Sequence, residues 1–160
     1  MEHKAVDLNK DGLYELGNEE VPSNDYTVYP GVNIPKDPFV RIEGLTKDAY
    51  LFIEIVGDNN KDFSWSVRDS WQETNLVGLK NGTVYVYKGT NDDIAPLNET
   101  TGEFFEEYIF NGIAESENGG IVVSDNYKNN NKVNVQFRGY LVQDENFDDY
   151  VDAYNTLVAR

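Results

Sequence analysis

The strongest pattern in the chain is an alternation of apolar and polar residues with a period of two, which is typical of β-strands. It is clearest in Ala49–Val56, a segment rich in β-branched and aromatic residues that places Leu51, Ile53 and Ile55 on one face. Shorter strands are predicted at 39–42, 63–67 and 83–87, and a long strand near the C-terminus carries Val133, Val135, Phe137 and Leu141 on one face. Many short strands between clusters of Gly, Asn, Asp and Pro predict a mainly β fold, a jelly-roll or immunoglobulin-like antiparallel β-sandwich.

Turn signals connect some of these strands into hairpins. The dipeptide Asn81-Gly82 suits the two positive φ angles of a type I′ turn. A second turn signal, Asn118-Gly119-Gly120, follows another apolar segment. The hairpins predicted in this way join 76–80 to 83–87 and 108–113 to 121–123.

A helical pattern occurs near the C-terminus. Apolar residues recur there at intervals of three or four, and Asn146 is the predicted N-cap, with Asp148 and Asp149 in the first turn, where the helix dipole favours negative charge. A weaker helical turn is predicted at 102–107. The apolar stripe consists of Tyr150, Val151, Tyr154, Leu157 and Val158.

The chain shows no internal repeat and no interdomain linker. We therefore predict a single β-sandwich domain over residues 21–160, preceded by an N-terminal segment, residues 1–20, that is a possible donor strand. The first 25 residues are expected to be irregular or to lie at a sheet edge. With 160 residues, the chain is long enough to bury a substantial core.

The chain carries 29 acidic and 13 basic residues, a formal net charge of −16. Such a surface repels nucleic-acid phosphates and anionic membranes, so neither is an expected partner. It attracts divalent cations such as Ca²⁺, although the charge also serves solubility. Cysteine is absent, which excludes disulfides and thiolate sites. The longest apolar stretch is too short to span a bilayer, so no membrane insertion is expected.

The sharpest local motif is an acidic loop near the N-terminus. Asp7, Asn9 and Asp11 occupy the first, third and fifth positions of an EF-hand loop, with Leu13 at the backbone-ligand position and Glu15 at the ninth. A glycine stands at the sixth position, but the bidentate glutamate expected at the twelfth is replaced by asparagine, and no helices flank the motif. The motif predicts either a partial Ca²⁺ site or an Asx-rich turn without an ion.

Little in the sequence supports catalysis. His3 is the only histidine, so a two-histidine zinc site is excluded, and a Ser-His-Asp triad would depend on this one residue. A carboxylate pair for glycoside cleavage is not singled out by any spacing. We therefore expect the protein not to be an enzyme. The aromatic residues are candidates either for stacking on sugars or for ordinary core packing: Trp65, Trp71, Tyr85, Tyr87, Tyr127 and Tyr140.

The order of segments resembles the TasA/camelysin-like family of secreted bacterial proteins, whose members carry SipW-type signal peptides. The resemblance covers residues 20–158. Its motifs are Tyr29-Pro-Gly-Val-Asn-Ile-Pro-Lys-Asp-Pro38, the Phe39-Val-Arg-Ile42 strand after it, Asp48-Ala-Tyr-Leu-Phe-Ile53, Trp65, the hairpin near Asn81, and Val135-Gln-Phe-Arg-Gly-Tyr-Leu-Val-Gln143 followed by Phe147 and the helix.

This resemblance implies a jelly-roll sandwich at the cell surface or in the biofilm matrix, with the signal peptide removed. Several relatives form fibres by donor-strand exchange, so copies of the chain or other matrix proteins are the implied partners. Two departures stand out. The apolar first strand of the family is absent or truncated, which leaves 5–16 as the candidate donor, and the histidines needed by a camelysin-like metalloprotease are missing. The alternative function is a calcium-dependent adhesion or glycan-binding module.

Overall fold

The structure is a computed structural model of the chain. It describes residues 1–8, 10, 13–22, 24–32, 34–42, 47–57, 63–65, 67–89, 91–97, 108–111, 121–128 and 136–159. Its elements are β1 (Glu2–Val6), β2 (Glu15–Val21), β3 (Phe39–Ile42), β4 (Ala49–Val56), β5 (Phe63–Ser64), β6 (Trp71–Val77), β7 (Thr83–Tyr87), β8 (Tyr108–Asn111), β9 (Val122–Val123), β10 (Gln136–Gln143) and α1 (Tyr150–Val158).

The chain divides into two compact units, each built from three segments of sequence. The first unit comprises 1–40, 58–68 and 110–134, and the second comprises 41–57, 69–109 and 135–160. The division falls inside β3 and inside β8. The mainly β prediction and the C-terminal helix are confirmed, and the antiparallel strands are consistent with a β-sandwich.

The second unit contains a four-stranded antiparallel sheet in the order β10-β4-β7-β6. Strand β4 lies between two neighbours, and all its residues except the last are buried, which explains its almost continuous apolar sequence. Tyr50 and Phe52 of β4 pack with Tyr154 of α1, and the rings of Phe52 and Tyr154 lie 5.1 Å apart. Helix α1 therefore covers one face of β4 and its neighbours.

The first unit is built from short ladders. Strands β1 and β2 form an antiparallel ladder whose register shifts between His3 and Ala5, β5 pairs with β9, and Ile34 forms an isolated bridge with Ile121. Its core cluster includes Ile34, Phe63 and Tyr127, and the rings of Phe63 and Tyr127 are 5.2 Å apart. Of the two expectations for the first 25 residues, irregular or at a sheet edge, the paired strands β1 and β2 agree with the second.

Three local predictions were wrong in detail. The hairpin of β6 and β7 exists, but β6 ends at Val77, the turn bond joins Asn81 N–H to the Gly78 carbonyl, and only Asn81 of the Asn-Gly pair has a positive φ. Strand β9 pairs with β5 and not with β8. The helix begins at Tyr150, with Asp149 as its N-cap.

The position of the helix N-cap has a local cause. The Asp144 carboxylate accepts the backbone N–H of Phe147, closing a turn in which Asn146 adopts a positive φ of 64°. Asn146 therefore lies in the turn before the helix and is not its N-cap. Asp149, with an extended backbone, accepts the N–H of Asp152 instead. The helical turn predicted at 102–107 lies outside the described residues.

Within the described ranges, no helix is both long and apolar enough to cross a bilayer.

Candidate functional site

The predicted calcium loop falls in the connection between β1 and β2. Asp7 follows β1 and is half-buried, Leu13 is exposed, and Glu15 begins β2, where it pairs with Val6. Asn9 and Asp11 lie outside the described residues. No three histidine or acidic side chains converge on a metal position in the part of the chain that the structure describes. A calcium site here stays a prediction.

The outer edge of β1 is occupied by side chains of the following segment. The backbone N–H of Ala5 donates to the Asn24 side-chain oxygen at 2.8 Å, and the Asn24 amide donates to the carbonyl of His3 at 2.8 Å. Asp37 accepts both the backbone N–H of His3, at 3.0 Å, and a contact from its ring Nδ1. The only histidine is therefore part of the structural anchoring of β1.

A buried ion pair fixes the start of β1. The Nζ of Lys36 lies 2.9 and 3.1 Å from the two carboxylate oxygens of Glu2, and both side chains are over nine-tenths buried. The hydroxyl of Tyr26 donates to the Pro35 carbonyl at 3.0 Å and lies 3.4 Å from Glu2. Burial and the adjacent Glu2 charge raise the pKa of Tyr26. These contacts make β1 the fixed strand of the hairpin.

Strand β2 is the exposed strand of the hairpin. Its first five residues are all exposed, and β1 is its only neighbour among the described strands. Because Asn24 takes the N–H of Ala5, the Ala5–Leu16 pair is not hydrogen-bonded, so the backbone N–H and carbonyl of Leu16 point to the outer edge. The candidate donor segment 5–16 therefore spans the end of β1, the connection and the start of β2.

Strand β10 forms an edge of the four-stranded sheet. A groove of about 280 Å³ lies where this edge meets the loop before α1 and the helix itself. The groove is lined by Leu141, Val142, Gln143, Glu145, Phe147, Thr156 and Leu157. Leu141 of β10 leaves 42% of its surface exposed. Sequence reasoning missed this edge, although residues 126–143 form a long stretch without any acidic residue in a very acidic chain.

Glu54 is a fully buried carboxylate in the middle of β4. Its Oε1 accepts the backbone N–H groups of Lys80 and Gly82, both at 2.8 Å, and its Oε2 accepts the hydroxyl of Tyr140 at 2.8 Å. Desolvation opposes the charged form, but these hydrogen bonds outweigh it and lower the pKa of Glu54. Gly78 lies so close to this carboxylate that a Cβ there would collide with it. Since every oxygen is occupied, Glu54 organises the β6–β7 connection.

The candidate sugar-stacking aromatics are distributed over both units, and several of them take part in core packing. Trp71 and Tyr127 are buried in different units, and Trp71 packs edge-on against Tyr87 at 5.2 Å. Trp65 packs against the core cluster of the first unit, and the Tyr140 hydroxyl is bonded to Glu54. The core-packing alternative therefore accounts for Trp71 and Tyr127.

Comparisons with protein-family models, with curated proteins and with solved structures found no match for this chain.

Proposed function

We propose that the protein is an extracellular structural subunit that associates with copies of itself, or with other matrix proteins, by adding a β-strand to an exposed sheet edge. The observation that carries the proposal is the N-terminal hairpin, in which β1 is fixed and β2 is exposed. The segmental resemblance to secreted matrix proteins supports the extracellular setting and the fibrous assembly.

The two strands of the hairpin differ in what their outer edges offer. On β1, the outward groups of His3 and Ala5 already bond to Asn24 and Asp37. On β2, Leu16 presents its backbone N–H and carbonyl outward from an exposed position. Exposed backbone groups of this kind are a template for pairing with another chain. Strand β2 is therefore the part of residues 1–20 that is contributed to a neighbouring copy.

The buried ion pair determines how this proposal is tested. Deleting residues 1–20 is expected to abolish association, but it also removes Glu2 and leaves Lys36 buried without its carboxylate. A sharper variant is Leu16→Pro, because the one backbone donor that proline removes points away from β1. The matched control is Leu16→Thr, which removes the same side chain but keeps the backbone donor.

Association is measured by sedimentation velocity over a concentration series and by negative-stain electron microscopy. We expect the unchanged protein and Leu16→Thr to form concentration-dependent oligomers or filaments, and Leu16→Pro to remain monomeric with an unchanged circular dichroism spectrum. If the unchanged protein is monomeric at every concentration, the proposed function is wrong. If Leu16→Pro associates as the unchanged protein does, the hairpin is not the contributed element.

A further inference from the structure

We propose that the acceptor for β2 is the outer edge of β10 on a second copy, so that copies join head to tail through an acidic donor strand and a basic acceptor strand. This inference rests on the proposed function, because it names the second of the two strands that self-association would join.

Two hydrogen bonds at the end of the β4–β10 ladder show which residues of β10 point their backbone N–H and carbonyl groups toward β4 and which point them away. The N–H of Asp144 donates to the carbonyl of Asp48 at 2.7 Å, one step beyond the Gln143–Ala49 pair. The N–H and carbonyl of Ala49 bond to Leu97, on the side of β4 away from β10. Antiparallel ladders alternate between hydrogen-bonded and non-hydrogen-bonded pairs. Even-numbered residues of β10 therefore bond to β4, and odd-numbered residues point outward.

Three outward-pointing residues form the acceptor surface, namely Gly139, Leu141 and Gln143. All three are exposed. Their outward backbone groups bond to no other residue that the structure describes. An added strand would therefore find a row of donors and acceptors in place, without displacing an existing bond. It would also cover the exposed side chain of Leu141 and the groove beside it.

Charge selects the strand that fits this edge. Strand β10 contains one basic residue, the exposed Arg138, and no acidic residue. Strand β2 has the opposite character, since Glu15–Val21 contains three glutamates and no basic residue, and one of these glutamates, Glu19, is paired with Lys4 of β1. In a chain of net charge −16, most surface pairs between copies repel. The β2–β10 pair places a basic strand against an acidic one and avoids that repulsion.

A contact between two different surfaces has a consequence for assembly. Each copy offers one donor, β2, and one acceptor, β10, so a bound pair still has a free surface of each kind. Heterologous contacts of this type propagate into a ring if the rotation closes and into an open filament if it does not. A symmetric β10–β10 contact would instead stop at a dimer. Blocking β2 and β10 in separate variants distinguishes the β2–β10 contact from a symmetric β10–β10 contact.

The test uses Gly139→Pro as the acceptor-blocked protein and Leu16→Pro as the donor-blocked protein. Proline at Gly139 removes an N–H that points outward and leaves the bonds to β4 intact. The matched control is Glu73→Pro on β6, the other edge of the same sheet. There Ser70 accepts from Lys88, so by the same alternation the N–H of Glu73 also points outward. Circular dichroism and thermal unfolding verify the fold of each variant.

We expect each blocked protein to be monomeric by sedimentation velocity, Glu73→Pro to associate as the unchanged protein does, and an equimolar mixture of the two blocked proteins to form only a 1:1 dimer. The dimer arises because the mixture retains one intact β2 and one intact β10. As a second variant with an unaltered backbone, Arg138→Glu is expected to weaken association at least tenfold at low ionic strength, with a smaller effect at about 0.5 M NaCl.

The possible failures are distinguishable. If the unchanged protein never associates, the proposed function fails and this inference fails with it. If the unchanged protein associates but Gly139→Pro and Arg138→Glu do so equally well, β10 is not the acceptor, while strand-mediated association stands. If both blocked proteins are monomeric and their mixture stays monomeric, β2 and β10 do not pair with each other.

Discussion

The hydroxyl of Tyr140 donates a 2.8 Å hydrogen bond to the carboxylate of Glu54, joining the edge strand β10 to β4 through a side chain as well as through the backbone ladder. The other oxygen of Glu54 accepts two backbone N–H groups from the β6–β7 connection. One buried carboxylate thus links three segments that are far apart in the sequence. Strand β10 is therefore attached to the central strand β4 by a buried side-chain hydrogen bond in addition to the backbone ladder.

Replacing this carboxylate tests its structural role. We expect Glu54→Ala to lower the free energy of unfolding by about 3 kcal/mol, because it leaves a cavity and two backbone N–H groups without their acceptor. Glu54→Gln is the matched control and is expected to lose less, since its amide oxygen still accepts those N–H groups. Urea unfolding at neutral pH measures both. Equal losses in the two variants would contradict the assigned role of the Oε1 acceptor.

The charge of Glu54 also predicts a pH dependence. Its pKa is lowered in the folded protein, so the unfolded chain binds the proton more readily. The stabilisation is therefore present above the unfolded pKa of about 4.3 and is lost as the pH falls through the lower folded value. We expect the stability difference between the unchanged protein and Glu54→Gln to shrink between about pH 7 and about pH 3. Urea unfolding across this range gives the result, and a difference independent of pH would count against it.

The Glu2–Lys36 pair predicts a strongly non-additive double-mutant cycle. Lys36→Met leaves the Glu2 carboxylate buried without its cation, and we expect a loss of about 3–5 kcal/mol. The double variant Glu2→Leu/Lys36→Met removes both charges and is expected to recover most of that loss. Thermal and urea unfolding of Glu2→Leu, of Lys36→Met and of the double variant measure the coupling. Additive losses would show that the two side chains act independently.

Tyrosine ionisation predicts a loss of stability in alkali. Burial raises the pKa of Tyr154, and the charge of Glu54 raises it further. Burial is also the largest cause of the raised pKa values of four other tyrosines, Tyr26, Tyr50, Tyr85 and Tyr140. A raised folded pKa means that stability is complete below the unfolded value of about 10 and falls as the pH rises above it. Absorbance titration should show these tyrosines ionising later in the folded than in the urea-unfolded protein. Coincident curves would contradict the prediction.

The calcium-loop hypothesis makes a separate prediction. If Asp7, Asn9, Asp11, Leu13 and Glu15 hold Ca²⁺, the ion raises the melting temperature, because a ligand that binds only the folded chain stabilises it. We expect this rise to disappear in Asp7→Ala/Asp11→Ala. The control is Asp92→Ala/Asp93→Ala, which removes two exposed acidic residues from another loop. Differential scanning calorimetry with and without Ca²⁺ is the measurement, and an absence of any shift identifies the loop as an ion-free turn.

The elements that the sequence determined are those with a strong local signal. Strand β4 was located to the residue by its β-branched and aromatic run, and β7 by its alternation after a turn. The apolar stripe that begins at Tyr150 predicted the C-terminal helix. These elements could be predicted because each pattern follows directly from the side-chain periodicity of one element, 2.0 residues for a strand and 3.6 for a helix.

Tertiary structure alone decided which strands meet and what their polar residues do. The pairing of β9 with β5 joins segments about 60 residues apart, which no local turn signal encodes. Glu54 reads in the sequence as a polar interruption of an apolar strand, yet its partners come from Lys80, Gly82 and Tyr140. Which backbone N–H groups of β10 point outward likewise depends on which of its residues form hydrogen-bonded pairs with β4. Periodicity within a segment fixes its own conformation, whereas partners, register and open edges follow from packing between segments distant in the chain.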